Sequence, residues 1–371
     1  MLLGDLGARI LKVEHPDSGD LTRGWGPPED PASGLSAYYL SVNRNKESLA
    51  LDLASPEGAE SVRILARRAD LLVENFPPGG LEKFGLSLEA MRAENPRLVT
   101  ASITGYGRQG PQAQEPGFDL LAQAGAGMMA ITGTLEGGPT KAGVAVSDLF
   151  AGCFAAIGVL AGLAQRDRTG KGTHIETDLF SSTLAALINV AQSALVTGQE
   201  AHRHGNAHPQ IVPYRVFSAS DADFVLAVGT DRQFARLAEL LGREEWAADA
   251  SYRTNEGRVV NRRGLEDELA RTLRREPRDV WLARFREADI PAGPVRGPLE
   301  ALTSETARAL GAVVEAGRAR FVASPIHVEG HISPLRFPPA LDADGDCLRR
   351  EFGLPSSPSP SAGEREGPPL A

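Results

Sequence analysis

The feature that most constrains the fold is an alternation in the first half of the chain, where short aliphatic or β-branched runs are each followed by a stretch with helical periodicity. ARILKVE, SLALDL, DLLVENF and RLVTASI supply the extended runs. Between two of them, SPEGAESVRILA opens on Ser55, puts Pro56 at the favoured first helical position and offers Val62, Ile64 and Leu65 for burial. Parallel strands need a crossover of about a dozen residues or more, and a helix is its usual content. The alternation therefore predicts an α/β fold built on a doubly wound parallel sheet. The same pattern predicts a helix over about 148–165, a strand at THIETDL and a helix over 181–195.

Beyond this point the pattern changes. Polar sequence with Gly and His intervenes, and from Tyr214 onward a strand (DFVLAVG), a helix (DRQFARLAELLG) and helices over 258–273 and 278–288 predict a smaller α+β domain. A chain of 371 residues exceeds one minimal domain. The expected division is a large domain beginning with 1–202 and a small domain with its linkers over 203–300. The last stretch, 355–371, is too rich in Pro, Ser and charge to bury apolar surface and reads as a disordered tail. The chain opens with MLLGDLGA, which reads as the end of a helix. A doubly wound lobe normally begins with a strand and a phosphate-binding turn, so the expectation is a truncated amino terminus.

Charge and cysteine content narrow the function. The net charge is −9, with acidic and basic residues interleaved, which argues against a nucleic-acid surface. Cys153 and Cys347 are the only cysteines, so neither a disulfide framework nor a thiolate metal site is implied, and a reducing cytoplasm is the expected compartment. The longest apolar candidate, 149–163, falls short of the roughly 18 to 20 residues of a membrane span, and no secretory leader opens the chain.

Asp148 is the leading candidate for chemistry. It follows Ser147 at the start of a long apolar helical run, where a carboxylate feels the helix dipole and can cap the first turn. Capping is the commoner use of such a residue. A carboxylate is also ionised at neutral pH without a partner base, its reference pKa being near 4. No G-x-S-x-G elbow occurs, and His202, His204 and His208 cluster without acidic companions, so no metal site is expected. Asn75 and Phe76 follow an extended run, where open α/β sheets bind nucleotides, and Phe76 could stack on a base. Lys12, Arg23, Arg44 and Lys46 are candidates for phosphate contacts, surface solvation being their commoner use.

Taken together, GDLGARILKVEHPDSGDLTRGWGPP, NRNKESLALDL, LLVENFPPGGLEKFGL, SITGYGRQGP, GFDLLAQAGAGMMAITG and RTGKGTHIETDLFSS resemble the class III CoA-transferases, the CaiB/BaiF type. The resemblance runs from Met1 to about Leu354. It implies that Asp148 is the nucleophile, and that CoA contacts fall at His15, Leu51, Asn75, Phe76, Lys83, Phe118 and Asp119, with His15 standing where the family has arginine. It implies that 301–354 returns to the large domain, that two chains interlock as a homodimer, and that CoA thioesters are substrates with no tightly bound cofactor. GNAHPQIVPY and TNEGRVVNR add a likeness to the succinyl-CoA:glutarate enzymes, and so imply a dicarboxylyl-CoA donor, with Arg108 or Arg215 as a fork for the distal carboxylate. Two alternatives stay open. One is a 2-methylacyl-CoA racemase-like enzyme, although Gly117-Phe118-Asp119 replaces the histidine-bearing motif of that relative. The other is a CoA-binding protein without turnover, should the missing amino terminus remove part of the reacting centre.

Overall fold

A computed structural model describes residues 1–355. In chain order the first elements are α1 (Leu2–Asp5), β1 (Ile10–Glu14), α2 (Ala37–Asn43), β2 (Lys46–Ala50), α3 (Pro56–Arg68), β3 (Leu71–Glu74), α4 (Leu88–Glu94) and β4 (Val99–Thr104). There follow α5 (Asp119–Gly125), α6 (Met128–Ile131), α7 (Val146–Thr169), β5 (His174–Asp178), α8 (Leu179–Ala186) and α9 (Ile188–Thr197). Next come β6 (Tyr214–Ser218), β7 (Asp223–Ala227), α10 (Asp231–Leu240), α11 (Glu245–Ala248), α12 (Asn255–Val260), α13 (Arg262–Leu273), α14 (Arg278–Glu287) and β8 (Ala292–Pro294). The last are α15 (Pro298–Leu302), α16 (Glu305–Ala309), β9 (Val313–Ala316), β10 (Ala319–Val322) and α17 (Gly345–Phe352).

These elements form two compact units. One holds Met1–Ala122, Ala145–Ala186 and the described residues from Ser304; the other holds Gln123–Val144 and Leu187–Thr303. The small unit thus differs from the expected 203–300 by starting at Leu187 and by taking in an earlier excursion. Beyond Pro355, the tail expected at 355–371 lies outside the described residues.

The first unit is α/β, and all of its pairings among β1 to β5 are parallel. β1 pairs with β2, Ile10 opposite Lys46, while β4 lies between β3 and β5 with Leu71 opposite Val99 and Thr100 opposite His174. Among the described residues these are two sheets, of two and three strands, where one continuous sheet was expected. Helix α3 covers both. Ser55 caps it by accepting from Gly58 N, and Val62 packs against the cluster of Leu49 and Leu51 as well as that of Leu81, Leu86 and Leu98.

Helix α7 is the longest element, reaching from Val146 to Thr169 where 148–165 was expected. By length and composition it could cross a membrane, contrary to the expectation from 149–163 alone. Its buried face, with Ala151, Ala155, Val159 and Gly162, packs on β4 and β5, which is the role of a core helix in an α/β fold. Small residues on that face bring the helix close to the sheet. A Cβ at Gly158 would stand 2.8 Å from Ile175 Cγ2, and one at Gly162 2.9 Å from Ile175 Cδ1.

The second unit packs helices on an antiparallel sheet in the order β6, β7, β8. Its core is aromatic, with Phe224, Phe234, Trp246, Trp281 and Phe285 buried beside Leu269. β6 was missed in the sequence, because its turn to β7 carries Ser220 and Asp221 rather than a strong Asn-Gly signal. The helix expected over 258–273 is two helices. Asn261 separates them and its side-chain amide bonds back to Gly257 O at 2.9 Å. The helix expected over 181–195 is likewise interrupted, at Ile188, whose φ of 45° leaves the helical region.

Gly172 joins the end of α7 to β5 and touches backbone that cannot retreat. A Cβ there would stand 2.0 Å from Leu98 O, in a turn held by Gly172 N to Pro96 O at 2.8 Å. Gly172→Ala is expected to lower the unfolding free energy by roughly 1–3 kcal/mol or more, read as a shift in the urea midpoint at unchanged slope.

Candidate functional site

The site is built where β4, α5, α7 and α8 converge. Leaving β4, the chain makes an excursion and returns so closely that a Cβ on Gly105 would stand 2.5 Å from Gly117 Cα, and one on Gly117 2.5 Å from Gly105 Cα. Only glycine pairs permit that approach. The crossing delivers Phe118 and Asp119 to the start of α5.

Asp119 Oδ1 accepts from Ser147 N at 2.8 Å. One of the unpaired amides in the first turn of α7 is thereby satisfied from another element. Ser147 and Asp148 were expected to be helix caps; both instead lie inside α7, whose N-cap position is Ala145 and makes no side-chain cap bond. The buried Ser147 hydroxyl is 2.7 Å from that of Thr183 on α8, so the turn is fixed from two sides.

Asp148 stands in that first turn, near the positive end of the helix. Its side chain is exposed, yet protein atoms crowd the carboxyl. Burial, with the charge of Asp119 second, pushes its pKa up to about 6. The carboxylate is therefore less readily ionised than its reference value implied, but at pH 7 the charged form still leads by roughly ten to one.

Tyr38 on α2 completes the cluster and escaped the sequence reading. Its phenol pKa is raised by burial and then by the charges of Asp148 and Asp119, which puts all three in one neighbourhood. Trp25 packs edge-on against Tyr38 with ring centroids 5.0 Å apart, and both rings are exposed. The long connection between β1 and α2 was the available signal, since long loops in compact domains are commonly functional.

The remaining expected contacts separate into groups. His15 directly follows β1 and is exposed; its Nδ1 accepts from Asp17 N at 3.3 Å. Leu51 follows β2 but is 2 % exposed in the core, so its side chain is closed to a ligand, contrary to expectation. Asn75 is exposed at the end of β3, and Lys83 is exposed in the turn Glu82–Phe84. Phe76 was expected to stack on a base; it packs against Phe84 at 6.2 Å, half-buried, while its N–H bonds Glu74 Oε2. Phe118 is 63 % exposed beside Asp119.

The early cations read as phosphate contacts are mostly engaged internally. Lys12 bonds Asp20 at 2.6 Å, Arg23 forks onto Glu14 with both bonds at 2.8 Å, and Arg44 forks onto Asp5 in a buried pair. Burial opposes ionisation of Glu14, but the hydrogen bonds of Arg23 and Ser48 outweigh it and its pKa is lowered. Lys46 bonds Asn43, and burial brings its pKa down to about 8. Arg215 is likewise held by Glu266 at 2.6 Å, and Arg108 is hemmed by Glu74, Glu82 and Glu176 at 3.5 to 3.9 Å. Neither guanidinium is poised as the expected fork for a substrate carboxylate. Among the described residues no three His, Cys, Asp or Glu side chains gather as metal ligands.

Residues 1–345 match the family described as CoA-transferase family III. The succinyl-CoA:glutarate CoA-transferase of Mus musculus is 44 % identical over 295 residues, covering 80 % of this chain and 67 % of that protein. The acetyl-CoA:oxalate CoA-transferase of Acetobacter aceti is 37 % identical over 360 residues, covering 96 % and 92 %. A crystal structure of a CaiB/BaiF family protein from Brucella suis superposes with a TM-score of 0.84 at 39 % identity, covering 94 % of this chain and 93 % of that one. The match spans both units and includes the segments that carry Asp119 and Asp148, so the chain belongs to CoA-transferase family III and is a CoA-transferase, exchanging CoA between an acyl-CoA and a carboxylic acid.

Proposed function

We propose that Asp148 is the nucleophile of this exchange and that the exchanged acids are dicarboxylates, with succinyl-CoA as donor and glutarate as acceptor. The observation that carries the first part is the fixed first turn of α7, which holds an exposed carboxylate at a helix amino terminus with its pKa at about 6. Such a group is charged at neutral pH and more basic than an ordinary aspartate, both of which favour attack. Support for the second part comes from relatives that act on glutarate and oxalate, both dicarboxylic acids.

In this reading a carboxylate oxygen of Asp148 attacks the thioester carbonyl, and the C–S bond breaks to release CoA thiolate. The thiolate attacks Cγ of Asp148 in the resulting anhydride, and the donor acid leaves as its carboxylate. The acceptor carboxylate then attacks the aspartyl-CoA thioester and the same two steps run backwards. The positive end of α7 lies where the tetrahedral oxyanions form. His15, Asn75, Phe76, Lys83 and Phe118 are the surfaces we assign to CoA, Leu51 contributing backbone alone. Phe118 has no exchangeable proton, so the racemase reading lacks its second base.

We further assign a homodimer in the cytoplasm, without membrane or nucleic-acid partners. The outer face of α7 exposes Leu149, Ile157 and Leu160, at 57, 62 and 46 %, on one side of the helix. A second copy is the cover that this apolar stripe favours. Ile157→Glu is expected to shift the purified protein from dimer to monomer in analytical ultracentrifugation; an unshifted dimer would remove α7 from the interface.

Incubated with succinyl-CoA and glutarate, the protein is expected to yield glutaryl-CoA by mass spectrometry, with formation of the covalent adduct rising with pH through about 6. Asp148→Asn should reduce transfer by about a thousandfold or more. Near-normal transfer by that variant would sink the nucleophile assignment. Stability should move the other way. A raised carboxyl pKa favours folding below the unfolded value of 3.8, and that contribution fades as pH rises through about 6. The melting temperature of Asp148→Asn should therefore exceed that of the unsubstituted chain at pH 8 and converge with it below about pH 4.

A further inference from the structure

Asp119 is half-buried and touches the reacting residue's own helix turn, yet the mechanism above gives it no step. Three observations define its place. The Gly105 and Gly117 crossing fixes the backbone that carries it. Its Oδ1 holds Ser147 N, one residue before Asp148. Its charge acts on Asp148, and both carboxylates act on the phenol of Tyr38.

We propose that Asp119 is a positioning residue for CoA transfer, locking the first turn of α7 and making the covalent state of Asp148 the less repelled one. The inference rests on Asp148 being the nucleophile. Before reaction, two carboxylates of like charge share one partly desolvated corner. When Asp148 is converted to an anhydride or a CoA thioester its charge is gone, so the repulsion ends. The negative charge passes first to the CoA thiolate and, once that thiolate has attacked the anhydride, leaves with the departing donor carboxylate, which diffuses away from Asp119. Acylation is favoured by the amount that Asp119 disfavours the free carboxylate.

The same charge biases the anhydride. Thiolate can attack either carbonyl, expelling Asp148 or the donor acid. Raising the basicity of Asp148 makes it the poorer leaving group, so the attack that expels the donor acid and advances the exchange is preferred. The groups facing Asp148 are Asp119 from α5 and Tyr38 from α2, while Thr183 from α8 is neutral and bonds Ser147 and Leu179 O. Removing the charge of Asp119 therefore leaves burial as the one remaining cause of the raised pKa.

Asp119→Asn separates the two duties, because its amide oxygen can still accept from Ser147 N while the charge is lost. Protein incubated with succinyl-CoA is quenched across pH 4 to 8, and the Asp148 adduct is quantified by peptide mass spectrometry. Asp119→Asn is expected to lower the pH midpoint of adduct formation by roughly half a unit to one unit, and the adduct fraction at pH 7 by roughly three- to tenfold. Its melting temperature should not fall below that of the unsubstituted chain, since the cap acceptor is kept and the repulsion of Asp148 is relieved, whereas Asp119→Ala, lacking the acceptor, should melt lower than Asp119→Asn. An unchanged midpoint and adduct fraction in Asp119→Asn, with a lowered melting temperature in Asp119→Ala, would make Asp119 a helix cap alone and overturn the proposal. No Asp148 adduct in the unsubstituted chain would overturn the nucleophile assignment itself, an outcome distinct from a normal adduct that ignores Asp119.

Discussion

Everything at the reacting corner depends on how closely α7 lies on the three-stranded sheet. Gly158 and Gly162 face Ile175 with no room for a methyl group, and Ala151, Ala155 and Val159 fill the rest of the buried face. That contact sets the height and rotation of the helix, and so where its first turn emerges. The turn is then clamped from the side by Asp119 and Thr183. Asp148 thus gains a fixed position while its own side chain remains exposed, which is what the nucleophilic role proposed for it requires.

A second constraint acts at the other piece of parallel sheet. Glu14 ends β1 under burial, and it is kept charged by Arg23 and Ser48, while Arg23 also lies over the Tyr39 ring at 4.1 Å. Breaking such a buried pair by removing one partner typically costs about 3–5 kcal/mol, so these cations are structural first. Asp5, at the end of α1, forms a second buried pair with Arg44, which also donates to Val322 O on β10. Lys12, Arg23 and Arg44 are thus engaged within the protein, whereas His15 and Lys83, both proposed above as CoA surfaces, are exposed.

How much of this was legible in the sequence depends on the range of the interaction that decides each feature. The parallel strands, α3 with its Ser55 cap and Pro56, and the long helix before β5 follow from local period and capping chemistry, and the sequence carried them. Asp148 was legible as a residue at the head of an apolar helix. The group that caps its turn was not, because Asp119 is 28 residues from the Ser147 amide it bonds and is brought in by a glycine crossing that leaves no periodic signal. Tyr38 was signalled only by the long connection between β1 and α2, which does not say which residue it brings to Asp148. That the Leu51 side chain is buried and the Phe76 ring half-buried against Phe84 was not legible, because a strand end shows which edge a residue reaches but not whether its side chain turns into the core. The division of the sheet into two pieces is likewise a matter of which edges meet, and a sequence pattern of strands does not encode their order.

For the nucleophilic role proposed for Asp148, its raised pKa looks at first like a handicap, since a protonated carboxyl does not attack. The magnitudes resolve it. With a pKa at about 6, only about a tenth of the carboxyls are protonated at pH 7, a loss of rate too small to matter. The added basicity, by contrast, acts in this proposal on both the attack and the partitioning of the anhydride, in the direction that favours transfer. A lower value would leave the carboxylate fully charged but a weaker nucleophile and a better leaving group; a value much above 7 would withdraw it from reaction. Burial and a single neighbouring carboxylate hold Asp148 between those limits, and no cation stands beside it to undo their effect among the groups that set its pKa.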